Sequence, residues 1–120
     1  MVQVAANDES DLIAKQLLLQ AVQLGTELTP PGTQIDLCGT IAEEFAAMGA
    51  MSDATKLATY FDVKRGKDDV LLWAVRGSIR AKGLDQGIEL ANLITGEYEQ
   101  GQALAYVALA QAEGGHFLRR

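Results

Sequence analysis

The sequence predicts an all-α fold of helical hairpin repeats, about six helices in all. Three observations carry this expectation. Leu57-Ala58 with Phe61 recurs at a fixed spacing: Leu24-Gly25 with Leu28 stands 33 residues earlier, and Leu90-Ala91 with Ile94 stands 33 residues later. Each copy is a large-small apolar pair followed by an apolar residue three positions on, which is one face of a helix. A constant period in the low thirties marks stacked helical hairpins. The composition agrees. A hydrophobic fraction of 48 % excludes disorder over most of the length, and only 6 % of residues are aromatic. Abundant Ala, Leu and Gly then favour closely packed helices over a β-sandwich. Finally, the apolar residues within each stretch fall three and four apart. A simple helical bundle is the alternative, because small-large patterns are common in Ala- and Leu-rich helices.

The elements follow in order. Residues 1–9 read as a flexible lead-in, and 10–120 as a single domain. Ser10 is a candidate N-cap for a first helix carrying Leu12, Ile13, Leu17, Leu18, Leu19, Val22, Leu24 and Leu28. Thr29-Pro30-Pro31-Gly32 stops it, since prolines cannot extend a helix. A second helix opens between Thr33 and Asp36, bears the stripe Leu37, Ile41, Phe45 and Met48, and closes at Gly49. Ser52 or Asp53 caps a short third helix. Lys64-Arg65-Gly66-Lys67 reads as a basic connector. Asp68 or Asp69 then caps a fourth helix over 69–82, which ends at Gly83. Asp85 caps a fifth that ends at Gly96. A sixth starts between Glu97 and Glu99 and runs to Gly114-Gly115, and residues 116–120 look like the opening of a seventh.

Length and charge narrow the class. One domain of 120 residues is large enough for a real core. A net charge of −6 gives no bulk attraction to nucleic acid or anionic lipid. The lone Cys38 cannot form an internal disulfide and fits a reducing compartment. No signal peptide and no run of roughly 18 apolar residues is seen. A cytoplasmic protein is expected, with no membrane partner.

In residues 35–67, Ile41, Ala42, Phe45, Gly49, Ala54, Ala58 and Phe61 fall in an order that resembles a degenerate tetratricopeptide repeat. A second copy at 68–100 offers Leu72, Val75, Ile79, Gly83, Gly87, Ala91 and Ile94. The chain departs from that family where its tryptophan and closing proline belong: Cys38 and Leu72 occupy the tryptophan positions, and the proline is absent. The resemblance implies an α-solenoid that binds proteins or peptides, without enzymatic activity.

Charge segregation marks the candidate site. Six of the ten Lys and Arg lie within 64–82, beside only two acids, a local net of +4 that leaves −10 for the rest. Trp73, Arg76 and Arg80 share a helix face. Tyr106 occupies the slot one period after Trp73. An indole beside two guanidinium groups would anchor an acidic, partly apolar peptide, with Lys64, Arg65 and Lys67 at the rim. The competing reading places Trp73 in the core and pairs the arginines with neighbouring acids.

Catalytic, cofactor and metal sites are not expected. His116 and Cys38 are single and far apart in sequence. Glu43-Glu44 and Asp68-Asp69 are adjacent pairs that diverge on a helix, and no glycine pattern follows a strand. The expected function is that of a small adaptor or regulatory protein binding a partner protein or acidic peptide. Nucleic acid is not an expected partner. The alternative is a structural homo-oligomer, a homodimer in its simplest form, joined through apolar C-terminal helices.

Overall fold

The computed structural model describes the backbone of residues 2–28, 31–61 and 64–118, and the side chains of 10–25, 27, 32–61 and 66–114. These residues form six α-helices and no strand: α1 (Val2–Leu28), α2 (Pro31–Ala47), α3 (Met51–Tyr60), α4 (Lys64–Arg80), α5 (Leu84–Leu93) and α6 (Glu97–Leu118). α2, α4 and α6 lie side by side in that order. α3 covers the joint between α2 and α4, α5 the joint between α4 and α6, and α1 rests on α2. The molecule measures 49 × 45 × 17 Å, and its thin axis is about the depth of two packed helices. No helix among the described residues is long and apolar enough to cross a membrane.

The 33-residue spacing extends from sequence to local geometry. α2 and α4 have 17 residues each and open at Pro31 and Lys64; α6 opens at Glu97, one period further. α3 and α5 have 10 residues each and bury Ala54, Leu57 and Ala58 in one, Gly87, Leu90 and Ala91 in the other. The intervening turns share their two closing bonds. After α2, the Ala50 N–H donates to the Phe45 carbonyl and the Gly49 N–H to Ala46. After α4, the Gly83 N–H donates to Ser78 and the Lys82 N–H to Ile79. Both are Schellman turns, which satisfy the last carbonyls of a helix and require a left-handed residue. Gly49 fills that place at φ +83°, and Lys82 fills it at φ +65°.

The core is one cluster along the inner faces. Cys38, Ile41, Ala42 and Phe45 of α2 meet Val70, Leu71, Ala74 and Val75 of α4, closed over by Leu57 and Leu90. Burial pushes the Cys38 thiol's pKa up, so it stays protonated and unreactive.

Several boundaries differ from expectation. α1 already runs from Val2, so Ser10 lies inside it; nothing between Val2 and Asp11 is a Pro or Gly that would oppose a helix. Pro31 opens α2 earlier than Thr33, at a position where its missing N–H costs nothing. Thr29 and Pro30 lie outside the described residues. Ser52, Asp53 and Asp85 sit within first turns; the N-caps are Ala50 and Gly83, neither with a side-chain cap bond. Gly83 follows the left-handed residue rather than being it. Residues 64–67 are the first turn of α4 and not a connector. α5 ends at Leu93, with Ile94 as its C-cap. α6 passes through Gly114-Gly115 to Leu118, so a seventh helix does not open there.

Asp68 also differs. It is buried inside α4, and its carboxylate caps a different helix. It accepts the Thr95 N–H at 3.1 Å and the Gly96 N–H at 2.9 Å, with the Thr95 hydroxyl at 3.3 Å. Gln100 completes that joint by donating to the Ala91 and Ile94 carbonyls. Asp68 thereby ties α4 to the start of α6, where an anion also suits the helix dipole.

The left-handed Lys82 carries a backbone penalty that glycine lacks, on the order of 1 kcal/mol. Lys82→Gly is expected to raise the unfolding free energy by about that amount, and Gly49→Ala to lower it comparably. Urea denaturation midpoints check both.

Candidate functional site: a groove across α2, α4 and α6

The groove follows from how closely α4 lies on α2. At Gly77 an added Cβ would run into the backbone carbonyl of Glu43, so the two helices touch main chain to main chain. At Gly39 of α2 an added Cβ would run into the Trp73 indole of α4. Each helix therefore supplies a glycine where the other supplies bulk. Mid-helix glycine costs about 1 kcal/mol against alanine, and close approach is the usual reason to keep it. These two glycines escaped the sequence reading, although their mid-helix placement is the signal that could have found them.

This seam fixes the predicted residues. Trp73 is half-buried on Gly39, and the Arg76 guanidinium lies 4.8 Å from its ring centroid. One turn further, Arg80 reaches back across the seam. Its Nη1 donates to Glu43 Oε2 at 3.1 Å and its Nη2 to Glu44 Oε2 at 2.8 Å. The hydrogen bond to Glu44, with the charge of both carboxylates, holds the guanidinium pKa above its ordinary value. Arg80 is thus engaged within the molecule, as the competing reading required, while Arg76 has no ion pair among the described residues.

A groove of about 350 Å³ opens beside this pair. Glu43 lines it from α2, Arg76, Ile79 and Arg80 from α4, and Tyr106 and Leu109 from α6. Glu113 of α6 lines it as well. The structure therefore brings Arg76, Arg80 and Tyr106 together in one groove, with Trp73 supporting Arg76 from the side. Lys67 is half-buried in the first turn of α4, and the side chains of Lys64 and Arg65 lie outside the described residues. Among the described residues no cluster of three or more His, Cys, Asp or Glu is placed to hold a metal ion.

The electrostatics revise the expected ligand. Arg80 is balanced by Glu43 and Glu44, and Glu113 adds a carboxylate at the rim. The groove is not a basic patch. Among the described residues it offers one cation without an ion pair, Arg76, flanked by aromatic and aliphatic surface.

Gly77→Ala is expected to force α4 off α2 and cost about 1–3 kcal/mol. Thermal unfolding reads the loss, and tryptophan fluorescence reads the displacement of Trp73.

The chain matches no protein-family model, no curated protein and no solved structure, so what the groove does is read from its own chemistry.

Proposed function

We propose that the protein is a non-catalytic binding module whose groove across α2, α4 and α6 takes an extended or helical segment of a partner protein. In this reading the recurring two-helix units form a degenerate tetratricopeptide-like stack, working as an adaptor or regulator in the cytoplasm. The observation that supports it most is Arg76: exposed, without an ion pair, and stacked on Trp73 at the edge of a groove lined by Ile79, Tyr106 and Leu109. An arginine held by an indole is pre-organised for a carboxylate, and Arg, Trp and Tyr carry most of the energy in protein interfaces.

The favoured ligand is therefore narrower than a generally acidic peptide. A single Asp or Glu flanked by apolar side chains fits one free cation beside apolar surface. A multiply acidic segment would meet Glu43 and Glu113.

Selection from a random peptide library on the immobilised protein tests this. The expected result is enrichment of one acidic residue among apolar ones. Arg76→Glu should weaken the selected peptides at least tenfold, in line with the loss of an interface arginine. Its melting temperature should barely move, because an exposed cation–π contact contributes only about 0.5–1 kcal/mol. No enrichment, or enrichment indifferent to Arg76→Glu, contradicts the proposal.

A further inference from the structure

We propose that the cleft between α1 and α2 binds a small amphiphilic cation, an alkyl chain with a single ammonium head, and that Glu44 receives the head. The site is separate from the groove across α2, α4 and α6 and is independent of what that groove binds.

The cleft comes from uneven packing along two antiparallel helices. Late in α1, Gly25 lies so close to α2 that an added Cβ would run into Leu37. Further along the contact, Ala14, Leu17 and Leu18 of α1 face Glu44, Ala47 and Met48 of α2 across a hollow of about 440 Å³. Both triplets follow the i, i+3, i+4 spacing of one helix face. Ala14 and Ala47 bring only a methyl group each, so space remains that larger side chains would fill. Its volume falls in the usual range for small-molecule sites.

Charge complementarity selects the occupant. Among the described residues, Glu44 is the only charged side chain lining this hollow; the rest of the wall is Ala, Leu and Met. Glu44 already holds Arg80 at 2.8 Å, but the same guanidinium also serves Glu43 at 3.1 Å. Two carboxylates thus share one guanidinium, and one negative charge is left over among the described residues. The Glu44 side chain is 46 % exposed and that of Glu43 16 %, so Glu44 is the one a ligand reaches. A carboxylate has about four lone-pair sites, so Glu44 can accept an ammonium and keep Arg80.

The same imbalance recurs on the other side of Met48. A second hollow there is lined by Asp11, Leu12, Lys15 and Gly49. Lys15 is held by Asp53 of α3 at 2.8 Å, so two carboxylates again stand beside one cation. The net charge of −6 adds attraction for a cation at longer range. The apolar wall then sets the rest of the ligand. Leu17, Leu18 and Met48 suit an alkyl chain, and a methionine adapts to the shape of what it covers. A fatty acid of the same length would set its carboxylate against Glu44. A polyamine, charged along its length, would have to strip water from ammonium groups lying on leucine. One cation on one apolar chain meets neither cost.

Nuclear magnetic resonance of the full chain with labelled methionine methyls tests the proposal, by titration with octylammonium, 1-octanol, octanoate and butylammonium. Octylammonium is expected to move the Met48 methyl signal and to bind about two- to fivefold tighter than 1-octanol, the worth of one exposed ion pair. Octanoate should bind more weakly than 1-octanol. Butylammonium should bind at least about tenfold more weakly than octylammonium, since four methylenes are no longer covered. Glu44→Gln removes only an exposed ion pair, so its melting temperature should match wild type. It should lower octylammonium to the affinity of 1-octanol and leave 1-octanol unchanged. Ala14→Leu fills the hollow and should weaken both; if that variant fails to fold, the Glu44→Gln comparison decides alone. The peptide selection above is read on Arg76, so the two readings fail separately. A Met48 signal unmoved by millimolar octylammonium overturns the proposal, as does octanoate binding as tightly as octylammonium, or a preference for the ammonium that survives Glu44→Gln.

Discussion

The contact between Gly77 and the backbone of Glu43 sets the rest of the structure. A residue with any side chain at 77 would hold α4 away from α2. Because α4 lies this close, the Arg80 guanidinium can reach Glu43 and Glu44, and Trp73 can settle on Gly39. The energy involved is mostly packing. The Arg80 ion pairs are half exposed and contribute little stability. Their consequence is positional: they neutralise one arginine and leave Arg76 without an ion pair among the described residues.

The second constraint is Asp68, which ties α4 to the start of α6. Its carboxylate accepts the N–H groups of Thr95 and Gly96, the two residues just before α6. At the start of α4, Gly66 lets the opening turn pack on Phe61 and Ile35.

Much of the fold was legible because burial repeats. The pairs Leu57-Ala58 and Leu90-Ala91 lie in the core, and Gly49 takes the left-handed turn its position suggested. The start of α6 was legible, since it opens at Glu97 where the acids placed it, but the other helix starts were less so. Side-chain caps were expected at Ser52, Asp53 and Asp85, but the turns are set by backbone bonds of the preceding helix, which leave no role for a capping hydroxyl or carboxylate. Residues 64–67 read as a connector from their charge and Gly66, whereas that glycine is buried and serves packing. The site was half legible. Spacing placed Trp73, Arg76 and Arg80 on one face and Tyr106 one period on. It did not reveal that Arg80 is paired, although Glu43 and Glu44 lie about one period and one turn before it, where the neighbouring helix must pass.

If successive units share one spatial relation, equivalent points on the covering helices must be evenly spaced. Leu19, Ser52 and Asp85 are exposed, lie 33 residues apart, and sit on α1, α3 and α5. Spin labels at pairs of these positions, in a chain with Cys38 replaced by Ala, give the distances by pulsed electron paramagnetic resonance. The account predicts equal 19–52 and 52–85 distances. Clearly unequal distances would contradict it and leave an ordinary helical bundle.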